Sequence, residues 1–84
     1  MYKVDFDDVA KEQLRELPEH LRPPLAALMD LLELQPWSGA PYNRARPDAN
    51  IRVHSLGEES QCSVIYLIVD HLELVEILRI IWVD

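Results

Sequence analysis

Eighty-four residues leave room for one domain, near the small end of what a single hydrophobic core can hold together. With 49% hydrophobic and 27% charged residues, two glycines and six prolines, disordered and low-complexity classes are excluded, and a lone Cys62 excludes an internal disulfide or a cysteine-based zinc site. The net charge of −7 repels a phosphate backbone at long range and argues against strong nucleic-acid binding as a bulk property. That charge is uneven. Residues 36–57 carry Arg44, Arg46 and Arg52 against Asp48 alone, whereas both flanks are acidic.

Tyr2, Val4 and Phe6 alternate with Lys3 and Asp5, the period of a half-buried strand. Asp7 or Asp8 then offers a carboxylate to cap a helix carrying Ala10, Leu14 and Leu17, and Pro18 ends or bends it. A second helix presents Leu21, Leu25, Leu28, Met29 and Leu32 as one stripe. It must effectively start near Pro23 and Pro24, whose missing amides cost nothing in a first turn, and Gln35-Pro36 closes it. Residues 36–50 read as a long loop with three prolines, pinned to the core by Trp37.

Ile51 to Leu56 alternates as a strand, with Ile51 and Val53 expected inward and Arg52 and His54 outward. A hairpin turn at 57–61 leads into the apolar, β-branched run from Ser63 to Val69, and Asp70-His71 turns the chain into a last strand from Leu74 to Val83. The order is β-α-α-β-β-β, an α+β domain with a helical hairpin on one face of an antiparallel sheet. If Val64, Tyr66 and Ile68 meet the helices, then Ser63, Ile65 and Leu67 join Arg52 and His54 on the other, uncovered face. The alternation of the last strand does not assign its faces.

The opening strand ending in Phe6, then Ala10, Leu14 and Leu17-Pro18, Arg22, the Leu25/Leu28/Leu32 helix closed by Pro36, Ile51-Arg52-Val53 and Val64-Ile65-Tyr66 together resemble the RelE/ParE superfamily of bacterial toxins. The resemblance spans nearly the whole chain and rests on order and spacing rather than on any single motif. It implies a toxin of a toxin–antitoxin pair, bound tightly by a small antitoxin. It implies one of two activities: ribosome-dependent mRNA cleavage, placed first, or gyrase poisoning. A catalytically silent binding module with the same fold is the third reading.

Under the cleavage reading, Arg52 and His54 match the basic pair of the RelE branch in position and character and are the candidate catalytic residues. Ser63 stands where that branch has a third-strand arginine, and its C-terminal basic and tyrosine positions have no counterpart up to Asp84. Cleavage needs guanidinium and acid–base groups held together, and two side chains on one strand face lie about 7 Å apart, close enough to share a phosphate. Arg44 and Arg46 are candidates for contacting RNA or an acidic antitoxin segment. Ile65 and Leu67 are candidates for binding a protein partner, because an uncovered apolar patch asks for one. Cys62 reads as a buried hydrophobe rather than a nucleophile. No metal or cofactor is expected. The expected partners are an antitoxin and, by activity, ribosome and mRNA or gyrase, with a homodimer left open. The N-terminus lacks the apolar run of a signal peptide, and Glu73, Glu76 and Arg79 break the C-terminal apolar stretch, so a cytoplasmic protein without a membrane span is expected.

Overall fold

In the computed structural model, which describes residues 1–83, strand β1 spans Lys3–Phe6 and helix α1 spans Asp8–Glu16. Asp7 caps α1, its carboxylate accepting from the Ala10 amide at 2.8 Å. A short 3₁₀ turn over Glu19–Leu21 leads into helix α2, Arg22–Leu34, whose first turn holds Pro23 and Pro24 without losing a hydrogen bond. Strand β2 is only Ala40–Pro41, followed by β3 Ile51–Leu56, β4 Cys62–Val69 and β5 Leu74–Trp82.

The five strands form one sheet in the order β1-β5-β4-β3-β2. Pairing is antiparallel throughout except between β1 and β5, which run parallel because the two helices carry the chain across the sheet between the first and later strands. The helical hairpin covers one face, as the sequence predicts. Leu17, Leu21, Leu25, Leu28 and Leu32 meet Cys62, Val64, Tyr66 and Ile68 of β4 and Val75, Ile77 and Ile80 of β5, all buried in a single core. The step from Ile77 to Ile80 is odd-numbered. A bulge in β5 opposite Ile65 and Tyr66 accommodates it, so that Leu78 and Arg79 both leave the helix side.

Two expectations need correction. The stretch 36–50 is not wholly irregular: it holds a 3₁₀ turn at Pro36–Ser38 and the two-residue edge strand β2, with Pro41 tolerated because an edge strand has one unpaired side. The faces of β3 are reversed. Arg52 pairs with Tyr66 and His54 with Val64, and residues opposite one another in an antiparallel pair point the same way, so Arg52 and His54 lie on the helix side of the sheet. Ile51 and Val53 lie on the other side. No helix among the described residues is long and apolar enough to cross a membrane.

Candidate functional site

Arg52 is 9% exposed and nearly saturated. Its Nε and Nη2 both donate to the Gly39 carbonyl, at 3.2 and 2.8 Å, and Nη1 donates to the carbonyls of Pro47 at 2.7 Å and Ala49 at 3.4 Å. The Trp37 ring lies 5.3 Å from the guanidinium carbon, within cation–π range. Trp37 itself stays 40% exposed and donates from Nε1 to Asp70. A guanidinium held this way has little left with which to grip a phosphate. His54 is half-buried on the same side of the sheet, its Nε2 3.2 Å from the Ser38 hydroxyl. The two residues expected to form a bare catalytic pair on the uncovered face therefore lie on the opposite face, against the 36–50 segment.

That segment is anchored from below by Tyr66. Its buried hydroxyl donates to the Pro36 carbonyl at 2.7 Å and accepts from the Gly39 amide at 3.1 Å. Gly39 is required by this approach, since a Cβ there would collide with the Tyr66 hydroxyl and lie 2.8 Å from the Val53 carbonyl oxygen. Burial pushes the Tyr66 phenol above its ordinary pKa, with the Gly39 amide and Arg52 opposing. Arg44 and Arg46 ride on the exposed outer part of the same segment, and Arg46 borders a hollow with Tyr42 and Ile51.

The uncovered face itself is apolar at its centre. Ile51 and Val53 of β3, Ile65 and Leu67 of β4 and Leu78 of β5 are half-buried there, so Ile65 and Leu67 do occupy the face expected of them. Two adjoining hollows open on it. One, of about 390 Å³, is lined by Asp7, Tyr42, Ile51, Ile65, Leu78 and Arg79. The other, about 320 Å³, shares Tyr42 and Ile51 and adds Arg46 and Asn50. Arg79 is 3.5 Å from the Asp7 carboxylate and also donates to the Leu78 carbonyl at 2.6 Å. Tyr42, Arg79 and Asp7 were not singled out by the strand pattern. For Arg79 the signal is the pair Ile77 and Ile80, whose spacing demands a bulge once both are assigned to the core, whereas Tyr42 and Asp7 reach the hollow only through the fold.

No family model matches the chain, and no curated protein matches it. Solved structures do. The intact E. coli RelBE toxin–antitoxin complex superposes with a TM-score of 0.77 at 20% identity, covering 100% of this chain and 99% of that one. The isolated E. coli RelE toxin gives 0.80 at 17% identity over 100% and 86%, and the RelBE2 toxin–antitoxin complex of Mycobacterium tuberculosis gives 0.73 at 26% over 98% and 91%. The chain has the RelE fold. The resemblance read from motif order is thereby borne out on its RelE side, in the layer of two helices over a five-stranded, mostly antiparallel sheet. Within that RelE fold, this chain presents an apolar sheet face with Arg79 and Arg46 at its margins, and Ser63 on β4 is half-buried opposite Ile81.

Proposed function

We propose that this chain is the toxin-type component of a toxin–antitoxin pair and that its antitoxin, a protein, seats on the uncovered sheet face. The observation carrying this reading is that face: Ile51, Val53, Ile65, Leu67 and Leu78 side by side, without a covering helix, on a fold matched end to end by chains solved with their antitoxins. Ribosome-dependent mRNA cleavage is the second reading, and one observation favours it. Arg46, Tyr42 and Arg79 border the adjoining hollows, which would put two cations and a phenol around one bound nucleotide. Arg52 and His54 do not enter it, because the first is tied to three carbonyls and both lie on the helix side. Gyrase poisoning is not carried forward, since the matched structures named above are RelE chains.

The test is overexpression in a bacterial host with and without the product of a short reading frame adjoining the one for this chain. Growth arrest relieved by that product, together with a stable purified complex, is the expected result. Absence of both arrest and complex overturns the reading. Arrest accompanied by cut mRNA, lost in Arg79→Ala and Arg46→Ala, brings the cleavage reading forward.

A further inference from the structure

A guanidinium buried without an acid is uncommon, and Arg52 is in no ion pair among the described residues. Carbonyl oxygens and the Trp37 ring face its charge instead. What those carbonyls have in common is their place in the chain: Gly39 lies on one leg of the segment before β3, Pro47 and Ala49 on the other. The remaining hydrogen bonds of the outer segment are short-range. Arg46 donates to Asn43, Ala49 donates to Arg46, and the Ala45 amide donates to the Asn43 side chain. The short β2–β3 ladder, Ala40 opposite Val53 and Pro41 opposite Arg52, and the Tyr42 amide, donating to Ile51 at 3.0 Å, join the legs at their base, and Arg52 reaches beyond them to Pro47 and Ala49.

We infer that Arg52 is a clasp: by tying Gly39 to Pro47 and Ala49 it closes the 39–49 segment and holds Tyr42 and Arg46 as a preformed wall of the open-face hollows. A positioning role explains the geometry that a catalytic role does not. Two donors converge on the one Gly39 oxygen while a third reaches the far leg, a planar fork that a lysine ammonium cannot copy. Being compensated by dipoles rather than by a carboxylate, the clasp does not loosen when acids are protonated. A wall ordered in advance spares a bound partner the entropy of fixing it. The inference stands whether the partner is protein or RNA, so its failure is separate from failure of the toxin reading.

Trypsin supplies the readout. Arg46 precedes Pro47 and resists cleavage, which leaves the Arg44–Ala45 bond as the reporter within the segment, while Lys11 and Arg15 in α1 report global opening. Arg52→Lys keeps the charge and loses the fork. The expected result is a rise of about ten-fold or more in cleavage at Arg44–Ala45, with cleavage at Lys11 and Arg15 unchanged. Equal rises at all three sites, or none at Arg44, overturn the clasp. Should the variant fail to fold, hydrogen exchange of the Arg52 Nε–H in the unaltered protein decides: protection of that proton supports the clasp, and exchange at the rate of a free guanidinium overturns it.

Discussion

Tyr66 joins the core to the segment that shapes the site. Its ring is packed among the helices, while its hydroxyl satisfies the Pro36 carbonyl and the Gly39 amide. Tyr66→Phe leaves both backbone groups buried and unpaired, and should lower stability by about 1–3 kcal/mol, read as a fall in the urea midpoint at constant slope. The same residue sets an alkaline limit. Burial raises the folded-state pKa of Tyr66 above the ordinary 10.0 and that of the Cys62 thiol above the ordinary 9.0. Each group thus holds its proton more tightly folded than unfolded. The stability this contributes is full below pH 9 and is lost as pH rises through the raised values. Denaturation midpoints measured across the alkaline range should fall accordingly, and the upper part of that fall, to which the Tyr2 phenol raised by its hydrogen bond to Asp70 also contributes, should shrink in Tyr66→Phe.

At the scale of elements, Asp7 does two things with two oxygens: Oδ1 caps α1 and Oδ2 faces Arg79 across the end of β5. The cap outweighs the ion pair, since a half-exposed pair contributes little and a lost N-cap costs about 1 kcal/mol. Asp7→Asn keeps the cap and should be nearly neutral in thermal melting, whereas Asp7→Ala should lose the whole amount. This cap, narrowed to Asp7 or Asp8, and both helices were legible because each follows from a local pattern: a short carboxylate before an apolar stripe, and prolines in a first turn. The faces of β4, apolar on both sides, could be given only on the condition that Val64, Tyr66 and Ile68 meet the helices. The faces of β3 were not legible. Ile-Arg-Val-His alternates whichever side is buried, and the rule that arginine faces water fails where backbone carbonyls from a distant loop replace the water. The parallel pairing of β1 with β5 depends on contacts between residues some seventy positions apart, which no window of sequence displays, and the bulge at Leu78 shows only once Ile77 and Ile80 are both placed in the core.

The molecule as a whole is a sheet with one face spent on its core and one left open, and the two faces of a single strand make the contrast testable. Along β4, Ile65 and Ile68 carry the same side chain three residues apart; Ile68 is 1% exposed under the helices, and Ile65 is half-buried on the open face against the first hollow. A carboxylate at either position adds the same charge to a chain already at −7, so the global electrostatic penalty is shared and cancels in the comparison. What differs is local. Ile68→Asp buries an ion without a partner and should abolish the cooperative melting transition. Ile65→Asp can keep its carboxylate in water, and should melt as a folded protein while its affinity for the proposed antitoxin falls by ten-fold or more, roughly the loss of one central anchor of an interface. Circular dichroism and titration calorimetry read the two effects separately. An Ile65→Asp protein that melts normally and binds the proposed antitoxin unchanged would place that partner elsewhere, on the helices or along the β2 edge, and would leave the open face without the occupant proposed for it.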